Sequence, residues 1–193
     1  MLHMRDANNN VYEEILIAGF GGQGILLAGR LLAQAAMKTG HEVTCMPSYG
    51  AEVRGGTANC MVVISNQPVA SPLVGRCNSL IAMNKASLDK FAPCIKSAGL
   101  LIMNSSLIDE MPKLDKSIEI LAVPADEIAV ELGNQKVANM VVIGAYLQRR
   151  GIISPDVAAA CLEDVIARHH HRTVPINIQA IHKGAEFARK NSS

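Results

Sequence analysis

The stretch VYEEILIAGFGGQGILLAGRLLAQAAMKTG, residues 11–40, constrains the fold more than any other part of the chain. VYEEILIAG is an apolar run ending in glycine, the pattern of a strand buried on both faces. ILLAGRLLAQAAMK consists of strong helix formers and is stopped by Gly40. Between them Gly19-Phe20-Gly21-Gly22-Gln23-Gly24 satisfies GxGxxG, with a strand before it and a helix after it. A strand that turns tightly into a helix is the first half of a βαβ unit.

The rest of the chain alternates in the same way. Strands are expected at HEVTCM (41–46, closed by Pro47), TANCMVVIS (57–65), SLIAMN (79–84), GLLIMNSS (99–106) and SIEILAVP (117–124). Helices are expected near KASLDKFAPCI, at ADEIAVELG and at NQKVANMVVIGAYLQRRG. Ser154-Pro155-Asp156 reads as an N-cap, N1 proline and first-turn acid opening VAAACLEDVIARHH, and Pro175 begins the last helix. The fold class is therefore α/β: a doubly wound, mostly parallel sheet with helices on both faces (Rossmann-like) and a helical C-terminal part. Residues 1–10 are Asn-rich and aperiodic and are expected to be disordered, which leaves 11–193 as a single α/β domain.

Composition limits what such a sheet can do. Apolar residues make up 49% but aromatics only 3%, so the core must be aliphatic. A net charge of +1 gives no footprint for nucleic acid and no polybasic membrane patch. The polar N-terminus lacks a signal-peptide core and no apolar run is long enough to span a bilayer, so a cytoplasmic protein is expected. Cys45, Cys60, Cys77, Cys94 and Cys161 are odd in number and widely spaced. That spacing excludes local iron–sulfur and zinc patterns, argues against a disulfide framework, and reads each cysteine as a small buried hydrophobe.

The glycine turn admits two readings. Its N–H groups at a helix start suit an anion, or its glycines only let strand and helix pack closely. A nicotinamide site also needs an acid at the end of the second strand, yet that strand ends Thr44-Cys45-Met46-Pro47 and Glu42 sits at its start. A P-loop fails as well: residues 24–31 have its glycine spacing, but Arg30-Leu31 replaces Lys-Ser/Thr in a helical segment.

The second unusual stretch is SYGAEVRGGTANC, residues 48–60. Arg54 is a planar donor suited to a carboxylate, a phosphate or a partner's acid, and Gly55 and Gly56 let another surface approach. A plain Glu52–Arg54 pair on a solvated loop is the simpler alternative. No nucleophile–base pair is present, and Ser48 has no histidine near it in sequence, so no catalytic residue is assigned. Gly19, Gly21, Gly22, Gln23, Gly24, Ser48, Tyr49, Gly50, Glu52, Arg54, Gly55 and Gly56 are the candidate residues for binding a ligand or a partner.

GFGGQG at 19–24, PSYGAEVRGGTANC at 47–60, LIAMN at 80–84 and the Asn134–Asn139–Gly144 helix together resemble the gamma subunit of 2-oxoacid:ferredoxin oxidoreductases, the pyruvate/ketoisovalerate oxidoreductase family. The likeness runs from about residue 14 to residue 185. The Glu-x-Arg-Gly-Gly-Thr-Ala-Asn-Cys form is closer to the 2-oxoglutarate and branched-chain 2-ketoacid subtypes than to the pyruvate subtype. It departs from the His-Gly and Gln-Arg-Gly-Gly forms of the indolepyruvate enzymes. The resemblance implies a hetero-oligomer that decarboxylates a 2-oxoacid on thiamine diphosphate, passes electrons through iron–sulfur clusters to ferredoxin, and releases an acyl-CoA. The chain lacks the GDG…NN pattern for thiamine diphosphate magnesium and has no cluster-type cysteine spacing. Those cofactors are therefore expected in alpha and beta subunits and a ferredoxin-like delta subunit. This chain is expected to bind no cofactor alone, to be inactive alone, and to serve as a scaffold or as the side that meets CoA or substrate. A stand-alone nucleotide- or CoA-binding regulatory module is the alternative, and a homo-oligomer in isolation stays open.

Other features have simpler readings. His169-His170-His171 suits a solvated helix end better than a metal site, and Arg149-Arg150 answers a helix dipole. Met37, Met83, Met103, Met111 and Met140 read as core or interface filler.

Overall fold

In a computed structural model that describes residues 10–49 and 57–191, the chain builds one six-stranded sheet. Its strands are β1 (Tyr12–Phe20), β2 (Glu42–Tyr49), β3 (Thr57–Ser65), β4 (Cys77–Ala82), β5 (Ile95–Asn104) and β6 (Glu119–Val123). Helices α1 (Ile25–Lys38), α2 (Lys85–Phe91), α3 (Ala125–Glu131), α4 (Ala138–Arg150), α5 (Pro155–Ala160), α6 (Leu162–Val165) and α7 (Val174–Lys190) complete it. The expected disordered segment lies outside the described residues except for Asn10.

The sheet order is β2-β3-β1-β4-β5-β6. β1, β4, β5 and β6 are mutually parallel, while β3 runs antiparallel to both β1 and β2. β2 therefore points the same way as β1, and the expected α/β class with a mostly parallel sheet is borne out. β3 is the exception, because it returns directly from β2 as a hairpin and fills the place between β2 and β1. Pro47 does not close β2, which continues to Tyr49. A proline is tolerated there because β2 is an edge strand with a neighbour on one side only.

β1 is buried on both faces. Ile15 and Ile17 join the cluster beneath α1, α3, α4, α5 and α7, whereas Leu16 joins the cluster beneath α2 and residues 105–118. Leu31, Leu32, Ile81 and Ile102 are fully buried on the first face, each contributing about 1.5–3 kcal/mol relative to exposure. α4 and α7 pack so closely that a Cβ on Gly144 would lie 1.9 Å from the Ile181 carbonyl oxygen. One on Gly184 would lie 1.8 Å from that of Val141. The Asn134–Gly144 segment begins as a single 3-10 turn at Gln135–Val137 and becomes α-helical only from Ala138. The helix expected after Ser154 is shorter than read, broken into α5 and α6.

The N-terminal edge of the sheet holds a buried ion pair. Glu13, 6% exposed, accepts from Arg150 Nε at 2.9 Å and from Ser79 Oγ at 2.6 Å. Arg150 also donates to the Asn78 carbonyl at 2.9 Å, and Arg149 pairs with Glu119 at 2.5 Å. The two arginines thus bind specific carboxylates, beyond the dipole role read from their position. Burial raises the Glu13 carboxyl above the ordinary carboxylate range, against the opposing pull of Arg150.

One further expectation, that every cysteine is buried, needs correction. Cys60, Cys77 and Cys161 are buried, but Cys45 is exposed and Cys94 lies between. Met83, Met103 and Met140 are core residues, while Met37 and Met111 are exposed. His169 and His170 are exposed in a 3-10 turn, Arg168–Thr173. His171 Nε2 lies 2.9 Å from the Ile166 carbonyl oxygen. Among the described residues no group of three or more His, Cys, Asp or Glu could hold a metal ion, and no helix there is long and apolar enough to cross a membrane.

Candidate functional site at the carboxyl edge of the sheet

The glycine turn stands at the carboxyl end of β1, where the winding reverses: the chain goes out to β2 on one side and to β4, β5 and β6 on the other. In open α/β sheets such an edge is where ligands bind. Gly22 and Gly24 have φ of 94° and 71°, left-handed values that favour glycine. At Gly24 there is a second constraint, since a Cβ would lie 2.3 Å from Asn139 Nδ2, which donates to the Gly24 carbonyl at 3.2 Å.

Gln23 fastens the turn to the sheet. Its Oε1 accepts from the Phe20 N–H at 2.7 Å and from Asn84 Nδ2 at 2.9 Å, and its Nε2 donates to the Met83 carbonyl at 3.3 Å. Asn84 Oδ1 in turn caps α2 by accepting from the Ser87 N–H at 2.9 Å. Replacing Gln23 with alanine leaves the Asn84 amide and the Phe20 N–H without their acceptor. The expected loss is ~1–3 kcal/mol, read as a lower urea midpoint with an unchanged slope.

Asn104, fully buried at the end of β5, does for α3 what Asn84 does for α2. It accepts from the N–H groups of Ser106 and Ala125 and donates to Asp126 Oδ2 at 2.6 Å. Ser106 Oγ accepts from the Asp126 N–H at 3.1 Å, and Gln135 Nε2 donates to Asp126 Oδ1 at 3.1 Å. The starts of α2 and α3 are thus satisfied by side chains, whereas α1 begins at Gly24 with no side-chain cap. The open start of this 14-residue helix carries its positive end and follows directly on Gly22 and Gln23, which line the crevice.

Gly22, Gln23, Met83, Leu107, Lys136 and Asn139 line that crevice, a cavity of about 280 Å³. Asp126 and Gln135 complete its polar wall. The mixture suits a ligand or partner group with an anionic head and an apolar flank.

The two sequence candidates meet at this edge. Ser48 pairs with Asn59 and Asn59 with Ala18; Tyr49 pairs with Ala58 and Ala58 with Gly19. Thr57, the first residue of β3, pairs with Phe20. The ends of the 48–60 stretch therefore stand in one row with the glycine turn, Tyr49 roughly 10 Å away across two strand spacings. Gly50, Glu52, Arg54, Gly55 and Gly56 lie outside the described residues. Sequence reasoning left out Asn84, Asn104, Asp126, Lys136 and Asn139 as site residues. A signal was present: β4 and β5 run into the parallel endings Ile81-Ala82-Met83-Asn84 and Ile102-Met103-Asn104, each an asparagine at a strand end ahead of a turn or helix.

Fold and edge together define a Rossmann-like α/β protein with a glycine-turn crevice at its switch point. The chain belongs to the pyruvate ferredoxin/flavodoxin oxidoreductase family, whose model matches residues 14–187. It is 38% identical over 92% of its length to a ketoisovalerate oxidoreductase subunit VorA of Methanothermobacter marburgensis, and spans 37% of that protein. It is 34% identical to a 2-oxoglutarate synthase subunit KorC of Methanocaldococcus jannaschii, covering 92% of this chain and 95% of that one. Among solved structures, the gamma subunit of a keto/oxoacid ferredoxin oxidoreductase from Geobacter sulfurreducens matches with a TM-score of 0.79 and 29% identity, over 92% of this chain and 99% of its own. The family read from the 19–24 and 47–60 motifs is borne out.

Proposed function

We propose that this chain is the gamma subunit of a cytoplasmic 2-oxoacid:ferredoxin oxidoreductase, a complex that converts a 2-oxoacid to an acyl-CoA and passes the electrons to ferredoxin. The observation that carries this reading is the near end-to-end match to a KorC subunit, with the glycine turn inside the matched region. Among the described residues no three His, Cys, Asp or Glu side chains gather as an iron–sulfur cluster would need. Thiamine diphosphate, magnesium and the clusters belong in this reading to the alpha, beta and delta subunits. The part left to this chain, a single domain over residues 11–193, is to present its carboxyl edge.

Two kinds of occupant suit that edge. A partner subunit fits the exposed Phe20 and Leu107 beside the crevice. An anionic co-substrate such as CoA fits the open start of α1 with Lys136. Gly21 tests the edge without disturbing the fold, because a Cβ there meets nothing within 4 Å. Gly21→Val is expected to change stability by no more than about 0.5 kcal/mol. It is expected to weaken assembly or the apparent affinity for CoA about tenfold or more, the equivalent of roughly 1.4 kcal/mol. Unchanged assembly and unchanged CoA dependence would remove the glycine turn from the interface. Arg54→Ala, made in the assembled complex, asks the same of residues 50–56. The alternative, a stand-alone binding module, predicts micromolar CoA, NAD or ATP binding to the isolated chain in calorimetry, lost on Gly21→Val.

A further inference from the structure

Two thiols face each other across the β2–β3 hairpin. Cys45 lies opposite Val62 and Cys60 opposite Pro47, so both side chains project toward α1, one diagonal step apart. Both cysteines are free, and their sulfurs are 3.5 Å from each other. A disulfide bond is ~2.05 Å long, so closure needs a movement of roughly 1.5 Å. β2, an edge strand held on one side only, can yield by that amount. The two sulfurs are not equivalent. Cys45 is exposed, whereas Cys60 is buried beneath α1, where a Cβ on Gly29 would meet Cys60 Sγ at 2.3 Å.

We propose that Cys45 and Cys60 form a reversible dithiol–disulfide site, oxidised by hydroperoxides, on β2 and β3, the two strands that flank residues 50–56. Cys45 is the attacking thiol and Cys60 the resolving one. The hydrogen bond with Cys60, and beyond it the charge of Arg30, lower the Cys45 thiol to about 7, so a large share is thiolate at neutral pH. Cys60 is shifted the other way, by the same hydrogen bond first and by burial second, and keeps its proton.

The Cys45 thiolate attacks one peroxide oxygen; the O–O bond breaks, hydroxide leaves and Cys45 becomes a sulfenic acid. The Cys60 sulfur then attacks the Cys45 sulfur, the S–O bond breaks, and the departing hydroxyl leaves as water with the Cys60 proton. In total two thiols lose two electrons and two protons, and one hydrogen peroxide becomes two water molecules. A dithiol reductant reverses the change. The step uses no residue of the carboxyl-edge crevice and does not depend on the proposed function.

The full chain, reduced and then treated with equimolar hydrogen peroxide, is denatured in iodoacetamide and weighed. The expected product carries the label on only three of its five cysteines and, that label apart, is lighter than the reduced chain by two hydrogen atoms. Trypsin then yields the peptide 39–54 joined to the peptide 55–76, separated again by dithiothreitol. In Cys60→Ser the sulfenic acid on Cys45 is not resolved and is captured by dimedone. Alkylation of all five cysteines after peroxide, a bond between Cys77 and Cys94, or a Cys45–Cys45 dimer would each overturn the proposal. The wild-type result decides the matter even where the variant folds poorly.

Discussion

Replacing Gly144 with alanine is expected to lower the unfolding temperature by about 10 °C. The glycine stands where α4 crosses α7, and the added Cβ would fall 1.9 Å from the Ile181 carbonyl oxygen. Backbone cannot rotate away as a side chain can, so the two helices must separate. Overpacking of this kind costs about 1–3 kcal/mol and occasionally more. At roughly 2–4 °C per kcal/mol for a chain of this size, the upper end of that range gives the stated shift. Gly184→Ala meets the Val141 carbonyl at 1.8 Å and is expected to behave alike. The pair should be less than additive, because one separation of the helices relieves both contacts. Gly75→Ala is the control: a Cβ there meets nothing within 4 Å. Equal melting temperatures for Gly144→Ala and Gly75→Ala would show that the crossing is looser than described.

Arg150→Met carries the second large effect. It leaves Glu13 buried at the N-terminal edge with Ser79 and Tyr146 as its remaining hydrogen-bond donors. Breaking a buried pair from one side costs about 3–5 kcal/mol. Acidity separates this loss from a plain packing defect. The Glu13 carboxyl is already raised in the folded chain, by burial above all, and Arg150 is the strongest force holding it down. A carboxyl raised on folding favours the native state at low pH, and that advantage is lost as pH rises through its folded pKa. Without Arg150 the folded pKa rises further, so the defect should be larger at pH 8 than at pH 5. Glu13→Gln in the same chain should restore much of the loss and remove its pH dependence. Denaturant unfolding at the two pH values reads both. A defect of the same size at each pH would mean that Glu13 is not the group left exposed to the change.

Much of this architecture is legible in the sequence, and the reasons differ from element to element. The run from β1 through the glycine turn into α1 is read correctly because local signals agree: an apolar run, a glycine that allows positive φ, and strong helix formers. The place of β3 is not legible. TANCMVVIS announces a strand, but nothing local says that it enters between β1 and β2. Pro47 misleads because a proline ends a central strand and is harmless on an edge, and which strands are edges is a property of the whole sheet. Cys45 is misread for the same reason, since an edge strand exposes side chains that a central strand would bury. Arg150 reads as a dipole partner because its carboxylate lies 137 residues away in the chain.

At the candidate site, the glycine turn and the ends of the 48–60 stretch are visible in sequence as unusual composition. Their common row across β1, β3 and β2 is not, because it depends on two antiparallel registers. Gln23 is recognisable only as a motif position. Its work, joining the turn to Met83 and Asn84, needs a strand some 60 residues on.

Reconstitution tests the central claim most directly. Alpha and beta subunits, with a delta subunit where the complex carries one, are assembled with and without this chain. Ferredoxin reduction is then followed with a 2-oxoacid and CoA. The complete assembly should turn over, the chain alone should not, and the assembly lacking it should lose most of its rate. Turnover by the purified chain alone, or an equal rate from the assembly without it, would contradict the account.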